Sequence, residues 1–125
     1  MNVLLVAVGG AIGAAVRYLI GAWVMARLGP DFPWGTFIIN VSGSFLIGVV
    51  LALVQGGVLP SGARLFVAVG ILGGYTTFST YGYETMGLIS DGDLRGALLN
   101  ALGQVLAGLT AVYFGVVIGR VLGGT

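Results

Sequence analysis

The chain has 125 residues, 58% of them hydrophobic and 7% charged, with a net charge of +1. Soluble domains carry roughly 25% charged residues, so the composition excludes a soluble domain and indicates one integral membrane domain over residues 1–125. Five arginines and four acids stand without lysine, histidine or cysteine. That removes disulfides, thiol nucleophiles, imidazole chemistry and nearly all transition-metal sites, and it gives no electrostatic basis for nucleic acid.

Met1-Asn2-Val3 has no positive n-region, and the apolar run behind it outlasts a short h-region, so a signal peptide is not expected. A crossing needs about 20 apolar residues to span about 30 Å of hydrocarbon. Four stretches qualify, at roughly residues 3–26, 35–57, 64–88 and 95–122. The expected fold is therefore all-α, with four transmembrane helices joined by short connections.

In the first helix Gly9, Gly13 and Arg17 recur every fourth residue and share a face. Gly9-x-x-x-Gly13 is a close-packing motif. Arg17 lies inside the span, where an arginine costs about 2.5–3.5 kcal/mol on insertion scales. It either attracts an anion, bonds to helix ends or snorkels to the interface. Leu28 to Trp34 is a Pro/Gly turn with an interfacial tryptophan.

The second helix carries Thr36, Asn40 and Ser44 at the same spacing. A buried amide demands partners. Asn40 is either interhelical glue, worth about 0.6–2 kcal/mol in membranes, or a rung in a polar track. Gly43 and Gly48 admit a neighbouring backbone. The connection from Gly56 to Gly62 contains Pro60 and Ser61.

The third stretch is interrupted by Gly73-Gly74-Tyr75-Thr76-Thr77-Phe78-Ser79-Thr80-Tyr81. Paired glycines and clustered hydroxyl residues are poor helix formers, so the helix is expected to break at midplane. Non-helical backbone survives at that depth only where protein or a water-filled cavity covers it, and such breaks mark ion and substrate sites. Glu84 follows one turn after Tyr81, either as a proton carrier or as an acid at a vestibule edge. Asp93 is placed to cap the fourth helix. In that helix Asn100 and Gln104 stand one turn apart, in line with Gly96 and Gly108, and Gly115-x-x-x-Gly119 is a second packing motif.

With four crossings, Arg64 and Arg120 fall on one side and Arg27 and Arg95 on the other, so the positive-inside rule gives no orientation. Either a partner sets the topology or the chain inserts both ways. Four helices enclose a path with difficulty, so an oligomer is expected, and homodimers are the commonest kind. Donors dominate the polar inventory, and freed helix N-termini favour anions. Carbonyls freed between Gly73 and Thr76 would hold a small cation instead. Phe78 and Tyr81 share a face and present electropositive ring edges. The residues alone therefore indicate an anion-permeable channel or transporter with a cation site at the break.

Three ordered motifs carry a more specific likeness. Gly9-Gly10-Ala11-Ile12-Gly13-Ala14-Ala15-Val16-Arg17-Tyr18, the run Gly35-Thr36-Phe37-Ile38-Ile39-Asn40-Val41-Ser42-Gly43-Ser44 continued to Gly48, and Gly73 through Tyr81 continued to Glu84 resemble signatures of the Fluc/CrcB fluoride channels. The resemblance implies an antiparallel, dual-topology homodimer in the plasma or inner membrane, with two pores that passively export fluoride. It implies that Asn40 contacts the anion, that Phe78 is the first ring of the aromatic box with Tyr81 at the second position, and that Thr36 belongs to the polar track. Arg17, Ser79 and Thr80 would lie near the access route. Carbonyls of Gly73 and Thr76 from both subunits would hold a structural Na+. The chain departs from the family at Tyr81, where phenylalanine is usual, and at Asn100 and Gln104, where the fourth helix usually carries tyrosine and serine. The complete break motif argues for a self-sufficient pore. The alternative is a small dual-topology, proton-coupled multidrug exporter, which needs a carboxylate where the first helix offers Arg17. An enzyme is not expected.

Overall fold

Long apolar runs without alternation fold as helices, because a helix satisfies its own backbone in a solvent that offers no hydrogen bonds. In the computed structural model, which describes residues 1–125, α1 spans Asn2–Leu28 and α2 spans Trp34–Gln55. A single turn, α3 (Ser61–Ala63), runs into a π-helical segment, Arg64–Leu72, and then into α4 (Gly73–Tyr75). Thr76 and Thr77 are extended, with ψ of 156° and 115°. Beyond them lie α5 (Phe78–Ser90) and α6 (Leu94–Leu122).

Three of these helices, α1, α2 and α6, are long and apolar enough to cross a membrane, with mean hydropathies of 2.1, 2.4 and 2.0. The chain is a multi-pass membrane protein. The remaining expected crossing, residues 64–88, is divided among shorter pieces. The helical backbone does not fail at Gly73-Gly74, where Gly73 has φ −62°, but two residues later. Turn chemistry sets the other ends. Gly29, with φ 86°, closes α1 in a conformation that favours glycine. Asp93 Oδ1 accepts from Gly96 N at 2.8 Å and caps α6.

Glycine decides which helices touch. A Cβ at Gly9 would lie 2.5 Å from Phe66 O, and one at Gly13 would overlap Ile71 O, so α1 presses its glycine face directly onto the π-helical backbone. A Cβ at Gly48 would lie 2.6 Å from Val112 O, and Gly115 meets Phe45 O in the same way, which binds α2 to α6. Between the two pairs sits a small core of Ile39, Leu72 and Tyr75. Tyr75 is buried, and its phenol lies 2.9 Å from Ser42 Oγ. The outward faces of α1 and α6 carry exposed large apolar side chains, as a lipid-facing surface requires.

Candidate functional site

The site begins where the helical ladder stops. Thr76 N still donates to Leu72 O at 3.0 Å. The next amide, Thr77 N–H, leaves the ladder and donates to Asn40 Oδ1 at 2.9 Å. Asn40 Nδ2 donates back to Thr77 O at 3.0 Å. One carboxamide on α2 thus engages both backbone groups of one residue, as a neighbouring strand would. Thr77 Oγ1 then accepts from Thr80 N at 3.3 Å and caps α5. The carbonyls of Gly73 through Thr76 are left without i+4 donors, since Thr77 N and Thr80 N are diverted and Phe78 N and Ser79 N open the next helix without bonding back to Gly74 O or Tyr75 O.

Asn40 does not stop at Thr77. Its Nδ2 also donates to Gln104 Oε1 at 2.9 Å. Gln104 Nε2 donates to Asn100 Oδ1 at 2.8 Å, and Asn100 Nδ2 donates to Thr85 Oγ1 at 2.9 Å. Thr85 Oγ1 ends the series on Tyr81 O at 2.8 Å. The amides of α6 therefore lie inside the fold, joined to α2 on one side and α5 on the other. Asn100 is 0% exposed. Burying so many polar groups is tolerable because each is paired.

Two cavities flank Thr77. The larger, about 380 Å³, is bordered by Asn40, Ser44, Gly73, Thr76, Phe78, Tyr81 and Gln104. The rings of Phe78 and Tyr81 stand 5.5 Å apart at 42° on its wall. The phenol of Tyr81 turns away and donates to Ala101 O on α6 at 2.7 Å. The second cavity, about 350 Å³, is bordered by Arg17, Thr36, Thr80 and Glu84. Glu84 Oε1 is buried there without a hydrogen-bond partner. Thr77 borders both cavities.

The sequence-derived residues therefore fall into groups. Asn40, Ser44, Phe78, Tyr81, Gln104, Gly73 and Thr76 meet around one cavity, and Arg17, Thr36, Thr80 and Glu84 around the other. Ser79 borders neither and is exposed, 3.4 Å from Thr77 Oγ1. Asn100 also borders neither. Several expected donors are spent locally. Ser44 Oγ donates to Asn40 O at 2.7 Å and Thr76 Oγ1 to Leu72 O at 3.0 Å, so both present lone pairs to the cavity instead of hydrogens. Thr80 Oγ1 accepts from Thr77 Oγ1 at 3.0 Å and keeps its own proton to donate.

Three contributors carry no separate role in the sequence reading: Thr77, Thr85 and the Ser42–Tyr75 pair. Thr85 had a legible signal, because it follows Tyr81 by one helical turn and so lies on the same face. Tyr75 had another, because a phenol in an apolar core needs a partner.

Against known proteins, the family described as CrcB-like protein, Camphor Resistance (CrcB), matches residues 4–116. A protein of Thermus thermophilus named fluoride-specific ion channel FluC is 50% identical over 121 residues, covering 97% of this chain and 95% of the relative. Proteins of the same name from Anaeromyxobacter dehalogenans and Chloroflexus aurantiacus are 45% and 47% identical, each covering 98% of both chains.

Proposed function

We propose that this chain, which belongs to the CrcB-like family, is a passive fluoride channel of the cell membrane. The observation that carries the reading is the larger cavity. Asn40 Nδ2, the Phe78 ring and the Tyr81 ring border one space beside a helix interruption, on a chain whose close relatives are named as fluoride channels.

The chemistry follows from those residues. Fluoride is small and holds its water tightly, so a path needs polar hydrogens and electropositive edges in place of that water. The tilted rings offer edges. Asn40 offers Nδ2–H. Its bond to Gln104 lies at the cavity wall and is the one an anion would share. On the far side of Thr77, Arg17 and the Thr80 hydroxyl line the second cavity, which serves as the access vestibule. The arginine raises the local anion concentration there.

The finer architecture belongs to the same proposal. Residues 61–75 and 78–90 together form the third crossing, interrupted at midplane by Thr76 and Thr77. Two copies insert in opposite directions and pair, giving two paths. Support comes from the balanced arginines and from Phe78, which is 82% exposed on the single chain although it borders the cavity. A second copy would cover it. Among the four carbonyls that have lost their ladder donors, those of Gly73 and Thr76 belong to residues that border the larger cavity. These two suit a small hard cation, and a central Na+ shared by the two copies would satisfy them. The exporter alternative needs its carboxylate on the first helix, which brings Arg17 to the cavity instead; the carboxylate beside it, Glu84, comes from α5.

The test is cellular protection. Expressed in a bacterium made fluoride-sensitive, the chain should restore growth in fluoride, and the Phe78→Ile variant should not. Failure of the wild-type chain to protect, when it is present in the membrane, would overturn the reading.

A further inference from the structure

The amide series has a direction that its two ends impose. At one end stands a backbone donor, Thr77 N–H, so Asn40 must present Oδ1 to it. Nδ2 then faces Gln104, which must present Oε1. Gln104 Nε2 consequently faces Asn100, which must present Oδ1. Asn100 Nδ2 reaches Thr85 Oγ1, which accepts because its own proton is committed to Tyr81 O, a backbone acceptor. A carboxamide turned over anywhere in the series would set donor against donor or acceptor against acceptor. Both terminal groups belong to one short stretch, residues 77–81, so the series leaves that stretch, crosses α2 and α6, and returns to it. It forms a closed loop of side chains with its polarity fixed.

We propose that Gln104, Asn100 and Thr85 are positioning residues that act through Asn40: they hold its carboxamide plane and keep one Nδ2–H at the cavity wall. They are not rungs of the conduction path. Asn100 is wholly buried, and neither Asn100 nor Thr85 borders either of the two cavities that flank Thr77. Gln104 does border one, but its carbonyl faces Asn40 and its amide faces Asn100. The inference rests on the fluoride-channel reading for its functional consequence and on the hydrogen-bond series alone for its structural one, and the two are measured separately.

The discriminating variant is Thr85→Val, which keeps the side-chain volume, lies outside both cavities and removes the acceptor that fixes Asn100. Thr85→Ser restores a hydroxyl. Fluoride release from vesicles and the side-chain amide 1H–15N resonances of Asn40 and Gln104 in micelles are recorded for the wild type and both variants. Expected for Thr85→Val is release slowed about tenfold, the rate change that one ordinary lost hydrogen bond makes. The Asn40 amide resonances should shift and their hydrogens exchange faster. Thr85→Ser should return both readouts to wild type. In an Asn40→Ala background Thr85→Val should have no further effect on release, because residues acting through one group are non-additive.

Unchanged Asn40 resonances in Thr85→Val would overturn the proposal. So would wild-type or faster release from that variant, which would mean that Gln104 competes with the anion for Asn40 and does not aim it. Shifted resonances with no release from the wild type would uphold the positioning role and overturn the channel reading instead.

Discussion

At the level of single residues, the two aromatic side chains at the cavity separate by what their polar atoms do. Phe78 is 82% exposed and contributes little to the fold of one chain. Phe78→Ile should therefore slow fluoride flux severely while the unfolding temperature in detergent stays close to that of the wild type. Wild-type flux in that variant would remove the ring from the path. Tyr81 spends its hydroxyl on Ala101 O, so on the proposed path only its ring edge would face the anion. Tyr81→Phe should keep conduction and lose about 0.5–1.5 kcal/mol of stability, the net worth of one hydrogen bond, read by thermal or denaturant unfolding. A channel that still folds but no longer conducts would show that the hydroxyl meets the anion.

At the level of elements, packing depends on glycine faces more than on apolar bulk. A side chain at Gly13 would meet Ile71 O and Tyr75 N, backbone atoms that cannot swing aside. Gly13→Val should destabilise by about 1–3 kcal/mol, the range for overpacking. Gly87→Ala, on α5 with nothing within 4 Å of the added atom, should change stability by under about 1 kcal/mol. Similar losses at both positions would show that glycine content, not contact, sets the cost. Much of this was legible: the three long helices end within a few residues of their expected bounds, and both Gly-x-x-x-Gly motifs do pack. The place where the helix gives way was less legible. Gly73 and Gly74 stay helical, and a Cβ at Gly74 would lie 2.6 Å from Gly10 O, so Gly74 serves contact with α1. The backbone leaves the helix at Thr77 because Asn40, 37 residues earlier, captures its N–H. No local propensity encodes that capture. The direction of the α6 amides was hidden for the same reason. Spacing put Asn100 and Gln104 on one face, but only the packed fold shows that face turned inward to α2 and α5.

At the level of the whole molecule, a lipid-facing exterior surrounds a polar interior, and Phe78 stands exposed on the single chain. If Na+ binds the carbonyls of Gly73 and Thr76 between two copies, replacing it with a large organic cation should lower flux or split the dimer, as read by size-exclusion chromatography with light scattering. Indifference to the exchange would remove both residues from a cation site. The central claim is fluoride conduction, and the most direct measurement is efflux from liposomes containing the purified chain, followed with a fluoride electrode. A potassium ionophore supplies the compensating charge. The account predicts rapid fluoride release that depends on the ionophore, with chloride release far slower under the same conditions. No fluoride release, or chloride release at a similar rate, would contradict it.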